Sequence, residues 1–292
     1  MAQGVLLSLT ASTLFAVLYY TSTLLLPLNG EQIYSWRMLL TIPLLGLMVL
    51  ALGQWQHAQH IVKRLKTEPL LWVALPTSAA LLAAQLWLFM WAPNQGKALE
   101  VSLGYFMLPL TMVLMGRILY KEKLTRLQQW ATASATLGVT HELLRVGSFS
   151  WATVLVSTGY PAYFYLRHHF KTDNLGGMWF DMLLPLPLAL YFLASSSPTL
   201  SDALHTNPAL YWRIPCLGLI SAAALVCYIS ASHRLPFGLF GLLSYVEPVL
   251  LVLVALALGE TIGPNEWLTY IPIWFALAIL LLGLTPSITH SE

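Results

Sequence analysis

The stretch Phe237-Gly-Leu-Phe-Gly-Leu-Leu-Ser-Tyr-Val-Glu-Pro-Val-Leu-Leu-Val-Leu-Val-Ala-Leu-Ala-Leu-Gly259 runs for 23 residues and holds a single charge, Glu247. An α-helix rises ~1.5 Å per residue, so roughly 20 apolar residues cross the ~30 Å hydrocarbon core of a bilayer. The stretch is long enough and predicts a membrane-spanning helix. Its one carboxylate stands ten residues in, about 15 Å deep and near the midplane.

Cutting the rest of the sequence wherever charges, prolines or polar clusters interrupt such runs gives nine further segments: 4–26, 31–53, 70–92, 99–119, 127–145, 149–169, 175–194, 208–231 and 264–284. The expectation is an all-α integral membrane protein with ten transmembrane helices. Only 54–68 and 195–207 read as loops of any length, and neither could hold a separate domain. Composition agrees, because 9% of the residues are charged against roughly 25% in a soluble domain, too few to cover a water-exposed surface.

The net charge is only +2 and the basic residues are scattered, so nucleic acid is not an expected partner. Cys216 and Cys227 share one apolar run about 16 Å apart along a helix, too far to pair. Met1, Ala2 and Gln3 alone precede the first apolar run, without the basic start of a signal peptide, so the first helix is expected to remain in the mature protein.

With the N-terminus inside, ten of the fourteen basic residues fall on inner loops and helix ends: Lys63, Arg64, Lys66, Arg117, Lys121, Lys123, Arg126, Arg167, Lys171 and Arg234. Arg37, Lys97, Arg145 and Arg213 fall outside. The positive-inside rule then places both termini in the cytoplasm.

Prolines 69, 76 and 109 recur as 208, 215 and 248, at a constant offset of 139 residues. Around them Pro69-Leu-Leu-Trp-Val-Ala-Leu-Pro76 matches Pro208-Ala-Leu-Tyr-Trp-Arg-Ile-Pro215, and Arg37 precedes Pro43 by six residues just as Asp181 precedes Pro187. Residues 1–145 and 146–292 are therefore expected to be two five-helix repeats. Five is odd, so the second copy enters the membrane from the opposite side. Inverted repeats give secondary transporters two related conformations, open to either face. Duplication that merely builds a bundle with tolerated proline kinks is the competing reading.

The residues Ser102-Leu-Gly-Tyr-Phe-Met-Leu-Pro109, Tyr120-Lys-Glu-Lys-Leu124, Tyr245-Val-Glu-Pro248 and Leu258-Gly-Glu-Thr261 resemble the RarD group, EamA branch, of the drug/metabolite transporter superfamily. Lys121 stands where that pattern has glycine, and Gln85-Leu-Trp-Leu-Phe89, Trp91-Ala-Pro93 and Gly159-Tyr-Pro161 add to the likeness. The resemblance implies a bacterial inner-membrane permease, commonly an exporter of metabolites or drugs, with both termini cytoplasmic.

An ionisable side chain deep in a membrane is a functional candidate by default. Glu247 leads, because Pro248 cannot donate and should leave a carbonyl one turn earlier free beside the carboxylate. Pro109 and Pro248 are the expected helix breaks. Asp181 and Arg37 lie about 12 Å apart in depth, so each is a candidate gate on its own side rather than a direct pair. Glu142 and Arg213, with Arg37, Glu100 and Arg145, are expected toward the outer face as a candidate outer gate. Tyr105, Tyr160 and Tyr163 are candidates to line a cavity, and Gln85 must meet a polar ligand or neighbouring helix. The tryptophans concentrate near helix ends, as interfacial anchors do.

His57 with His60, and His168 with His169, lack nearby cysteines or clustered carboxylates, so no metal is expected. No cofactor is expected either, since phosphate-loop and hydrolase motifs are absent. The expected activity is secondary-active transport, as a permease exporting a small metabolite, amino acid or drug by alternating access, with protons as candidate coupling ions. A passive channel, a membrane scaffold and an intramembrane lipid-modifying enzyme remain open alternatives at this point.

Overall fold

The computed structural model describes residues 1–92, 98–147, 150–257, 263 and 265–288. Among the described residues the secondary structure is helical throughout: α1 (Ala2–Thr23), α2 (Gly30–Ala51), α3 (Trp55–Arg64), α4 (Leu71–Trp91), α5 (Ala98–Leu119), α6 (Arg126–Val146), α7 (Trp151–His169), α8 (Leu175–Leu183), α9 (Leu186–Ser195), α10 (Leu200–Thr206), α11 (Leu210–Ser232), α12 (Phe237–Leu243), α13 (Val246–Ala257) and α14 (Trp267–Ile288). Pro93, Lys97 and the Leu258-Gly-Glu-Thr261 motif lie outside the described residues.

Seven spans are long and apolar enough to cross a membrane: α1, α2, α4, Val101–Leu119 in α5, Leu175–Ser195 across α8 and α9, α11, and Phe237–Val254 across α12 and α13. The chain is a multi-pass membrane protein. Helix α6 is also long but carries Gln128, Gln129, His141 and Glu142, and α14 offers a shorter apolar stretch, Trp267–Leu282. The two short helices outside the apolar runs are α3 and α10. Helix α3 buries Ala58 and Ile61 against α8. From its last turn, Arg64 donates to Glu68 through Nε at 2.8 Å and Nη2 at 2.7 Å, which holds the Glu68 carboxyl below the usual range.

Helix starts are set by side chains that satisfy the first orphan N–H groups, which lipid cannot do. Asn29 with Gln32 and Thr125 with Gln128 form capping boxes at α2 and α6, and Asn174 accepts from Gly177 N–H at the start of α8. Helix α6 closes on Gly147 at φ 65°, a left-handed cap that glycine adopts without strain.

Two spans are broken, both in the second half of the sequence. Helix α8 gives way to α9 at Leu184-Pro185, where neither Pro185 nor Pro187 supplies a ladder N–H. Helix α12 gives way to α13 at Ser244-Tyr245, so Pro248 sits in the first turn of α13, where its missing donor is tolerated. Pro109, an expected break, instead lies inside a continuous α5.

The chain groups into two compact units. The first holds Met1–Ala16, Leu99–Pro161 and Ser230–Glu292, and the second holds Val17–Ala98 and Ala162–Ile229. Each unit draws on both halves of the sequence.

In lipid the tails are as apolar as leucine, so close approach and interhelical hydrogen bonds hold helices together. In the first unit α6 packs along α14 through buried Ala131, Ala135 and Gly138. A methyl on Gly138 would fall 2.6 Å from the Thr269 carbonyl oxygen, and Ser134 Oγ donates to the Pro272 carbonyl at 2.7 Å. The Tyr245 hydroxyl donates to the Phe106 carbonyl of α5 at 3.0 Å. In the second unit α2 packs on α4, α8 and α9.

Candidate functional site

The densest buried polar constellation lies in the second unit. Asp181, 1% exposed in α8, accepts Ser78 Oγ of α4 at 2.7 Å and the Tyr163 hydroxyl of α7 at 2.9 Å. It also accepts from Arg167 Nη1, forming an ion pair in which both side chains are enclosed. Arg167 spends its other terminal nitrogen on the carbonyls of Thr172 and Asn174, the latter at 2.6 Å, and its guanidinium lies 5.4 Å from the Tyr163 ring centre. Three helices, α4, α7 and α8, and the turn before α8 are thereby tied to one carboxylate.

The sequence places these residues in local pieces. Tyr163 and Arg167 are four apart on α7 and share a helical face. Gly177 makes the turn into α8 close enough, since a methyl there would stand 2.1 Å from the Thr172 carbonyl oxygen. Asp181 follows one turn on.

Asp181 thus pairs with Arg167, which the charge count treats only as a cytoplasmic helix end. Tyr163, expected to line a cavity, is 1% exposed and committed to Asp181. Arg37 is 2% exposed and its Nε donates to Ser221 Oγ of α11 at 2.9 Å. Gln85 is wholly buried in α4. Arg213 donates to the Leu24 carbonyl at 2.8 Å, where Asn207 also reaches the Leu26 carbonyl, so it braces the chain after α1.

In the first unit Tyr105 and Tyr160 do come together, with ring centres 6.5 Å apart. Glu247 is half-buried in the first turn of α13, where the helix dipole favours a carboxylate. The carbonyl that Pro248 deprives of its usual donor, that of Ser244, is not free as expected. It accepts the Glu247 N–H at 3.2 Å, in a tight turn further held by Ser244 Oγ donating to the Gly241 carbonyl at 2.6 Å.

Glu142 is 4% exposed and accepts from Arg145 at 2.6 Å and from Thr269 Oγ1 at 2.7 Å. Arg145 also reaches Glu266 at 3.3 Å, and His141 Nδ1 lies 2.9 Å from Thr269 Oγ1. This cluster locks α6 to α14, and Arg213 belongs to the other unit.

Four contributors are not among the site candidates the sequence suggests: Ser78, Arg167, Tyr245 and Glu122. Glu122 accepts the N–H groups of Phe237 and Gly238 at 2.6 and 2.8 Å, capping α12. Its signal lay in the quoted Tyr120–Leu124 motif. Among the described residues no three His, Cys, Asp or Glu side chains gather as a metal site.

Comparison with known proteins assigns the family. The chain is 48% identical over 285 residues to the chloramphenicol-sensitive protein RarD of Pseudomonas aeruginosa, covering 96% of this chain and 93% of that protein. The chain belongs to the RarD family. An uncharacterised transporter of Pasteurella multocida is 41% identical over 96% of this chain and 94% of its own, and the RarD protein of Escherichia coli is 28% identical over 96% and 94%. A solved crystal structure shares the RarD-family chain's fold, with a TM-score of 0.72 over 97% of both chains at 17% identity. No family model matches the RarD-family sequence.

Proposed function

We propose that this chain is a secondary-active permease of a bacterial inner membrane, exporting a small metabolite, amino acid or drug by alternating access and coupled to protons through Glu247. In this proposal ten helices span the bilayer as inverted EamA-type repeats, 1–145 and 146–292, with both termini cytoplasmic. It is a transporter rather than an enzyme, in keeping with the names of its relatives.

The observation that carries the proposal is the pairing of repeat-related elements. Phe106 and Tyr245, joined by a hydrogen bond, are separated by the same 139 residues that relate the prolines. Helix α6 packs on its counterpart α14, and α2 packs on its counterparts α8 and α9. Contacts between equivalent elements are what a twofold-related inverted repeat generates, and that architecture suits alternating access. The broken α12–α13 span adds support, because discontinuous helices near the midplane typically build the substrate and ion sites of such carriers.

Proteoliposomes provide the test. Chloramphenicol is the first compound to try, since the name of the Pseudomonas aeruginosa relative includes it. Saturable uptake with counterflow, driven by a pH gradient, is expected. Glu247→Gln is expected to remove the dependence on the gradient, and unchanged kinetics in that variant would end the coupling role. Conduction without counterflow would mark a channel.

A further inference from the structure

In the second unit an open-sided cavity of about 540 Å³ is lined from α2, α4, the α8–α9 break and α9, by residues that include Tyr34, Ala79, Ala83, Trp87, Leu188 and Phe192. The volume falls within the range of small-molecule sites. Alanines at 79, 80, 83 and 84 leave space that larger side chains would fill, and no charged residue lines it.

Two of the lining residues, Tyr34 and Trp87, carry polar atoms that set it apart from a plain apolar groove. Tyr34 is 0% exposed, and its hydroxyl is buried without a hydrogen-bond partner. The Trp87 indole N–H is also buried without one. Leaving a buried donor unsatisfied is costly, and native structures keep few. Trp87 can only donate and Tyr34 donates readily, so the missing partner is an acceptor. The aromatic rings of Tyr34, Trp87 and Phe192 favour a flat aromatic body in offset or edge contact. Leu184 and Leu188 at the mouth are 43% and 49% exposed on membrane-spanning elements, so the entrance is apolar.

We infer that this cavity binds small uncharged aromatic molecules carrying a carbonyl-type acceptor, with Tyr34 and Trp87 donating to that acceptor. The inference goes beyond the transport proposal, and its test reads binding with no transport step. Benzophenone is a suitable probe, being an uncharged aromatic ketone that crosslinks on illumination.

The full chain in phosphatidylcholine nanodiscs is illuminated with benzophenone, and adducts are located by peptide mass spectrometry. Saturable labelling is expected on Leu71–Trp91 and on Leu184–Phe192. Tyr34→Phe and Trp87→Phe should each raise the half-saturating concentration roughly threefold to tenfold, the worth of one hydrogen bond. Ala80→Leu, at an exposed lining position, fills the space without crowding the core and should abolish the saturable component. Adducts spread evenly over outward faces, as from lipid partitioning, would overturn the proposal. So would saturable labelling that survives Ala80→Leu. If Tyr34→Phe fails to fold, Trp87→Phe and Ala80→Leu decide the matter.

Discussion

At the scale of single residues the Asp181–Arg167 pair dominates. Neither charge is exposed, so removing one partner strands the other in a dry environment, at a typical cost of about 3–5 kcal/mol. Asp181→Asn is therefore expected to lower the thermal unfolding midpoint in detergent sharply. The double variant Asp181→Leu with Arg167→Met should recover much of the loss, because it leaves no lone charge. If the single and double variants melt alike, the pair does not act as a unit. Asp181 was legible in the sequence as an ionisable residue in an apolar run. Its partner was not, because a position near a helix end cannot tell a solvated arginine from one folded back onto a carboxylate. Tyr163 was legible as an aromatic, whereas its direction was decided by the crossing of α7, α8 and α4.

At the scale of elements, helix starts matter because lipid offers no hydrogen bonds. Glu122 caps α12 by taking two of its first N–H groups. Glu122→Gln should weaken that cap by about 1 kcal/mol, speeding hydrogen exchange at the Phe237 and Gly238 amides roughly fivefold. Unchanged exchange there would show the cap to be dispensable. Among the described residues, each of the ten apolar stretches falls on a helix or a consecutive helix pair, since length and hydropathy are local properties. The breaks were less legible. Pro109 and Pro248 occupy matching sequence positions, yet α5 continues while α12 stops before Tyr245. At the α12 break a Ser244 hydroxyl bonds the Gly241 carbonyl and holds the turn, whereas the residue 139 positions earlier is Tyr105.

At the scale of the whole molecule, the proposed ten spans require both ends of the chain on one side. Fluorescent-protein fusions at each terminus should both fluoresce, and alkaline phosphatase fusions at the same points should both be inactive. Opposite outcomes at the two ends would require an odd number of spans and remove the inverted repeat. The sequence by itself determined that the chain is a helical membrane protein, where its apolar runs lie, and which prolines recur at the 139-residue offset, because these follow from local length, hydropathy and spacing. Only the tertiary structure decided that Arg167 rather than Arg37 meets Asp181, that Ser244 takes the Glu247 N–H, and that Glu122 caps α12. The first and third depend on where separate helices cross, which is set by small-residue packing and buried hydrogen bonds, and the second on the backbone path of one tight turn, which the residue types alone do not dictate.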